Sequence, residues 1–244
     1  MQLQTIIALC LYAGAQQAVA APVDRDNEVA ARDLEARASP GESNANPIKA
    51  SVNVQGQNQL PFDADCYAIL CKGADRILQR DSDETNPNRK DSGVTKTFSG
   101  GSGSGPFRNP QKANVKVPAP KSSWDSGNPF VSPEEFPFAS TTQGGNGAFL
   151  VPVNQASQNS QGGAINAMYE KYDIDTADCG TASWFELSFT GSLGPYCKAL
   201  MAGMTSSDPI CQKNAKDAVG DWGFDVGEYV YKYDGHSYRA AGKQ

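Results

Sequence analysis

The spacing of apolar residues predicts an amphipathic helix near the start of the folded part. Within residues 65–79, apolar side chains recur at intervals of three and four, which places them on one side of a helix. Lys72, Arg76 and Arg80 recur every four residues, so we expect them to share a basic face that contacts either phosphate groups or only solvent. The polar residues 81–123 have a Gly- and Ser-rich centre and predict a loop insertion.

A second pattern follows between residues 129 and 172. Residues 129–142 contain prolines and few helix formers, which indicates a short extended segment, and residues 144–147 (Gly-Gly-Asn-Gly) indicate a turn. The apolar residues 148–151 predict a second strand, residues 155–163 a loop and residues 164–172 a short helix. The order is strand, strand, helix, which predicts a ββα unit on a small antiparallel sheet.

The last part of the chain predicts one strand, short helices and a hairpin. We expect a strand at 182–190 and helices at 195–204 and 210–219, each helix carrying a cysteine. Asp234-Gly235 between residues 228–233 and 236–239 is typical of a hairpin turn. The fold class is therefore α+β, with flanking short helices and a C-terminal extension at 175–244.

The N-terminal region indicates secretion. Residues 5–20 are almost uncharged and end in Ala-Val-Ala, as a signal peptide spanning 1–20 would. Their apolar run is too short to cross a bilayer, so we expect a secreted, extracellular protein without a membrane partner. Residues 21–56 have mixed charge and no apolar period, which indicates a pro-segment or disordered spacer. A single folded domain would then occupy 57–244.

The cysteines of a secreted chain are expected to form disulfide bonds. The pattern is not that of a zinc site, because no Cys-x-x-Cys occurs and the chain has one His. We expect Cys66 to pair with Cys71 and two of the last three cysteines to pair, which leaves one thiol free or bonded to another chain. The five candidates in the mature chain are Cys66, Cys71, Cys179, Cys197 and Cys211.

The net charge of −6 conceals an asymmetry along the chain. Residues 72–121 hold ten Lys and Arg against five Asp and Glu, whereas residues 122–244 hold seven against fourteen. A basic stretch beside an acidic site suits a polyanionic substrate and a metal ion. A solvated, loop-rich surface would have the same composition.

Adjacent carboxylates in the first strand of the ββα unit supply candidate chemistry. Glu134 or Glu135 could deprotonate a water molecule, and strand alternation implies that one faces the site while the other supports it. Asn159 offers a neutral oxygen ligand for Mg²⁺ or Mn²⁺. Taken singly, these residues also fit an exposed acidic pair and a helix-capping Asn.

Residues 60–172, with their central motif at 132–172, resemble the secreted NucA/NucB deoxyribonucleases. The similar motifs are Glu134-Glu135-Phe136-Pro137-Phe138-Ala139-Ser140-Thr141, Gly144-Gly145, Val151-Pro152, Asn159-Ser160-Gln161-Gly162-Gly163 and, upstream, Cys66 with Gly73-Ala74-Asp75-Arg76. The resemblance implies a non-specific DNA endonuclease with a ββα-metal fold, a carboxylate base and a divalent metal, Mg²⁺ or Mn²⁺. We expect a monomer that acts on DNA, with RNA left open.

The resemblance also implies roles for individual residues. Glu134 falls at the position of the base and Asn159 at the metal-binding Asn, while Glu170 falls near a carboxylate ligand. Gln143 and Gln161, with Lys72, Arg76 and Arg80, would contact substrate or support the site. Glu134 stands where the family has Asp, and Gln143 stands where Glu is usual. These departures suggest an alternative, a catalytically weakened relative that acts as a secreted nucleic-acid-binding or effector protein.

Overall fold

A buried helix lies at the centre of the fold. In this computed structural model the described residues are 39–119, 121, 128–176, 182–213, 215 and 218–243. Pro40–Gln244 form one compact unit. The elements in chain order are β1 (Ile48–Val54), α1 (Gln59–Lys72), β2 (Ile77–Gln79), α2 (Thr85–Asp91), α3 (Pro110–Ala113), β3 (Ser132–Phe136), β4 (Phe149–Val153), α4 (Gln155–Lys171), β5 (Trp184–Gly191), α5 (Pro195–Met201), β6 (Tyr231–Tyr233) and β7 (Tyr238–Ala240).

Helix α1 differs from the amphipathic helix expected at 65–79. Its residues from Leu60 to Leu70 are all buried, because α4, α5, β3 and β4 pack around it. A helix that is covered on every side shows no polar stripe in its sequence. The helix ends at Gly73, which has a φ of +69° and forms a left-handed C-terminal cap. Arg76 and Arg80 therefore lie beyond the helix, and the expected basic face does not exist.

The first sheet has the order β1-β5-β2. β1 runs parallel to β5, and β2 runs antiparallel to it. We expected the folded part to begin near residue 57, but β1 already contributes buried Ala50, Val52 and Val54 in strict alternation. The strand predicted at 182–190 is confirmed as β5. The predicted signal peptide at 1–20 lies outside the described residues.

The second sheet is antiparallel and has the order β3-β4-β6-β7. The predicted hairpin is confirmed as β3 and β4, in which Glu134 is opposite Val151 and Glu135 is opposite Leu150. β6 pairs with β4 through Tyr231 and Leu150, so the C-terminal hairpin extends the sheet that carries the motif. Strand β3 forms one edge of this sheet.

Helix α4 follows the hairpin and completes the ββα unit. We expected a loop at 155–163, but the helix already begins at Gln155. Asn154 caps its first turn, since its side chain accepts a hydrogen bond of 2.8 Å from the amide of Ser157. The polar first half is stabilised by burial of Ser157 and Gln161 against the rest of the fold, which overrides the weak helix propensity of its Asn, Ser and Gly residues.

Two disulfides join α1 to the C-terminal extension. Cys66 bonds to Cys197 and Cys71 bonds to Cys211, with Cα–Cα distances of 5.0 and 5.2 Å. The expected pairing of Cys66 with Cys71 is wrong. Residues five apart on a helix point about 140° away from each other, so their sulfur atoms face different partners. Cys179 lies outside the described residues.

Three smaller features complete the description. The insertion at 81–123 contains α2 and α3. A helix was expected at 210–219, but the described part of that stretch has a 3₁₀ turn at Pro209–Cys211. None of the helices in the described ranges combines the length and the apolar character that a bilayer crossing requires.

Candidate active site

A cleft of about 550 Å³ lies between β3, α2 and one face of α4. Its lining combines carboxylates, amides and arginines, which are the groups that bind and cleave phosphodiesters. The polar and charged residues that carry this chemistry are Arg80, Arg89, Glu134, Glu135, Gln155, Gln158, Gln161 and Asn166.

Glu134 is the most enclosed carboxylate of the cleft, with 2% of its surface exposed. Its Oε1 accepts a hydrogen bond of 2.8 Å from Gln161 Nε2, and its Oε2 accepts one of 2.8 Å from Gln158 Nε2. Burial raises the pKa of Glu134 to about 7, although the bonds from Gln161, Asp65 and Gln158 oppose that rise. The carboxyl is thus held in one orientation and titrates near neutral pH.

Asp65, on α1, is a second buried carboxyl beside Glu134. Gln161 Nε2 also donates to Asp65 Oδ2 at 2.9 Å, so one amide group bridges the two acids. Burial, and next the charge of Glu134, hold the pKa of Asp65 well above its usual range. A neutral Asp65 donates a hydrogen bond to Glu134, which favours the ionised form of that residue. The sequence motifs did not point to Asp65; the available signal was an acidic residue within the largely apolar run 60–71.

Glu135 also lines the cleft, although strand alternation led us to expect one of the two glutamates to face it. Because β3 is an edge strand, the cleft reaches both of its faces. Glu134 faces α1 and α4, while Glu135 interacts with Ser92 and Arg89 beside α2. Burial raises the pKa of Glu135 to about 7, a rise that the Ser92 hydroxyl opposes.

Two arginines line the cleft beside these acids. Arg80 lies over the ring of Tyr169, 4.4 Å from its centroid, and donates to the carbonyl of Ile174. Arg89 comes from α2. Sequence reasoning grouped Arg80 with Lys72 and Arg76, but neither of those lines the cleft. Arg76 pairs with Glu186, and Lys72 donates to the carbonyl of Gly242 at 3.1 Å.

The remaining sequence-predicted residues lie away from the cleft lining. Asn159 is exposed, and its Oδ1 accepts a hydrogen bond of 3.0 Å from Gln155. Glu170 is exposed at the end of α4. Gln143 accepts a hydrogen bond of 2.9 Å from the backbone amide of Gln79 and so supports β2. The structure therefore brings together Glu134, Glu135, Gln161 and Arg80 of the predicted set.

Gln158 is the neighbour of Asn159 on α4. One residue along a helix rotates a side chain by about 100°, so the two neighbours face different directions. Gln158 lines the cleft, and its Oε1 is buried without a hydrogen-bond partner among the described residues. A buried amide oxygen that accepts no hydrogen bond is available to bind a cation.

The donor set fits a hard divalent cation. Within the described ranges there is no group of three or more His, Cys, Asp and Glu residues that could hold a metal by themselves. However, two residues of the cleft lining, Glu135 and Gln158, each have a buried Oε1 without a hydrogen-bond partner among the described residues. Mg²⁺ commonly binds through one or two carboxylates, water and substrate phosphate, so these oxygens suit Mg²⁺ or Mn²⁺ rather than zinc.

One comparison with known proteins gives a match that covers the cleft. Residues 65–179 match the model of the family described as Deoxyribonuclease NucA/NucB. This segment begins at Asp65 and includes β3, β4 and α4, and therefore every carboxylate of the cleft. Comparisons with curated proteins and with solved structures give no match. Residues 65–179, just under half of the chain, are therefore similar to the deoxyribonuclease NucA/NucB family.

Proposed function

We propose that the protein is a secreted, non-specific endonuclease that hydrolyses the phosphodiester bonds of DNA with a divalent metal ion and a carboxylate base. The match of residues 65–179 to the NucA/NucB family model supports a deoxyribonuclease function in general. The observation that carries the finer proposal is the buried Glu134 carboxyl, which two amide groups orient at the cleft. The two disulfides support an oxidising, extracellular location.

Glu134 acts as the general base. A base works best when its pKa lies near the operating pH, and burial places the pKa of Glu134 at about 7. Gln158 and Gln161 hold both oxygens, so little orientational freedom is lost when a water molecule is deprotonated. Arg80 and Arg89 bring positive charge to the cleft, where it stabilises the charge that develops on the phosphate.

Glu135 and Gln158 are the residues that would hold the metal ion, through Oε1 of each side chain. When bound, a divalent cation polarises the phosphodiester and stabilises its developing negative charge. This assignment replaces Asn159 and Glu170, which do not line the cleft.

Plasmid nicking by wild type and Glu134→Gln tests the proposal. We expect the wild type to nick plasmid DNA with Mg²⁺ or Mn²⁺ and to stop when EDTA is added. Glu134→Gln keeps the size and a hydrogen-bonding oxygen but cannot accept the proton, so the rate should fall about 100-fold or more. Glu170→Gln makes the same chemical change at an exposed position outside the cleft and should keep wild-type activity. Wild-type rates in Glu134→Gln would place the base elsewhere.

One observation favours a second candidate, a weakened relative that binds nucleic acid without cutting it. Both oxygens of Glu134 already accept hydrogen bonds from glutamine amides, which reduces their basicity. That protein would retain DNA in a binding assay but leave supercoiled plasmid intact at every concentration of Mg²⁺ or Mn²⁺. The nicking assay therefore separates the two candidates.

A further inference from the structure

A second, larger depression lies outside the catalytic cleft. It has a volume of about 1100 Å³ and lies between the insertion and the C-terminal hairpin. We call it the basic groove and define it by the four Lys and Arg residues of its lining and two of its aromatic residues: Lys96, Lys112, Lys116, Arg239, Phe98 and Tyr238. Among the described residues that line it, none is acidic.

The cations of the basic groove are mostly not neutralised. Lys96 donates to the hydroxyl of Tyr233 at 2.8 Å and to the carbonyl of His236 at 2.7 Å. Lys112 donates to the carbonyl of Ser99, which is also neutral. Arg239 pairs with Asp234 but remains 74% exposed. Such a concentration of positive charge stands out in a chain whose net charge is −6.

One chain segment connects the groove with the catalytic cleft. Arg89, on α2, lines the cleft, and the next residue, Lys90, lines a separate hollow. Lys96 lines both that hollow and the basic groove, while Val94 lines the cleft. Residues 89–98 thus run along all three depressions and place cations in each of them.

We infer that the basic groove binds the phosphate backbone of DNA beyond the scissile bond. This inference rests on the proposed function, since it extends the path of the same substrate from the cleft. A DNA duplex carries one negative charge per about 1.7 Å of its axis, so a long substrate necessarily presents phosphates outside the cleft. Contacts to phosphate carry no sequence information, which suits a non-specific nuclease.

A salt titration of DNA binding tests the inference. The affinity of a duplex of about 30 base pairs is measured by fluorescence anisotropy in the Glu134→Gln background, which leaves the substrate uncut. The groove variant carries Lys112→Gln, Lys116→Gln and Arg239→Gln, all exposed positions. The control variant carries Lys49→Gln, Lys198→Gln and Lys213→Gln, which are exposed and outside the groove. Lys49 is a close match for Arg239, being 73% exposed and paired with Glu186.

Each phosphate contact contributes about 0.9 to the slope of log affinity against log salt. The three groove substitutions should therefore reduce the magnitude of that slope by about 2 to 3. Between about 50 and 200 mM salt, the unsubstituted protein should lose about 40-fold more affinity than the groove variant. The control variant should keep the original slope. Equal slopes in all three proteins, or an equal loss in both variants, would overturn the inference.

Measurements of cleavage kinetics distinguish this inference from the proposed function. In the otherwise wild-type protein, the groove substitutions should raise the KM for long DNA, leave kcat unchanged and leave hydrolysis of bis(p-nitrophenyl) phosphate unchanged, since that substrate fills only the cleft. An unchanged KM for long DNA would count against the groove. If the wild type binds DNA through the groove but cuts nothing, the proposed function fails and the groove assignment stands.

Discussion

Replacement of Gln161 by Leu isolates the amide that bridges the two buried acids. The side chain keeps its approximate size, but Glu134 and Asp65 both lose the donor that lies 2.8 and 2.9 Å from their oxygens. Among the hydrogen bonds that lower the pKa of Glu134 against the effect of burial, the one from Gln161 is the largest. Its removal disfavours the ionised carboxylate.

The size of the effect follows from the strength of one hydrogen bond to a charged group, about 1.5 to 3 kcal/mol. Since a tenfold change in an equilibrium corresponds to about 1.4 kcal/mol, the pKa of Glu134 should rise from about 7 to about 8 or 9. The base must be deprotonated to act. The rising limb of the pH–rate profile therefore moves to higher pH, and the rate at pH about 7 falls about 5- to 50-fold.

The assay is the initial rate of plasmid nicking from about pH 5 to about pH 10, with thermal unfolding measured on the same samples. Gln143→Leu is the matched control. It also removes a glutamine hydrogen bond, that to the backbone amide of Gln79, but it lies outside the cleft. We expect Gln143→Leu to lower the thermal midpoint without moving the pH profile.

A pH–rate profile of Gln161→Leu that is lower than that of the wild type but has the same shape would refute this reasoning. If Gln161→Leu lowered the rate by one constant factor across the whole range, Gln161 would position the site without tuning the base. If the falling limb moved to higher pH instead, so that the rate at pH about 7 rose, Glu134 would act as an acid, because an acid must be protonated in the active form.

Three further outcomes are expected. Gln158→Leu should weaken activation by Mg²⁺ about tenfold or more, while Asn159→Leu should not, as metal titrations of nicking would show. Burial raises the pKa of Asp63 to about 8, so the folded state retains a proton that the unfolded state releases above about 4. This group alone should therefore contribute a decline in stability of about 1.4 kcal/mol per pH unit between about pH 4 and about pH 8. Asp63→Asn should flatten that decline in denaturant titrations at several pH values; an unchanged slope would mean that Asp63 is not the cause. Cys66→Ser with Cys197→Ser should cost about 2 to 5 kcal/mol of unfolding free energy, and identical urea curves would contradict it.

Local patterns predicted the hairpin and the acids that it carries. β3 and β4 are short extended segments around a Gly-rich turn, and a turn of that kind is encoded by adjacent residues. The β1 strand was missed although Ala50, Val52 and Val54 alternate, because the surrounding composition resembles a spacer. The alternation of apolar and polar residues was itself the sequence signal for a strand.

The predictions that failed concern features that depend on contacts between residues distant in sequence. Helix α1 is enclosed by elements that are distant from it in sequence. Because residues 60–70 are all buried, they do not show the periodic polar positions from which the ends of a helix are predicted. The role of Asp65 requires the fold to bring α1 against α4, and the choice between Gln158 and Asn159 requires knowing that α4 begins at Gln155. A helix assigned from its apolar residues alone began nine residues too late, at 164 in place of Gln155.

The separation along the chain between paired strands sets the time at which this protein can assemble. β1 pairs with β5, and partners such as Lys49 and Glu186 are 137 residues apart. At a ribosomal rate of about 5 to 20 residues per second, β1 waits about 7 to 30 s for its partner. β6, which extends the sheet that holds Glu134, and Cys211, which secures α1, are made later still. The sheet that carries Glu134 is therefore completed only after residues 231–240 have been made.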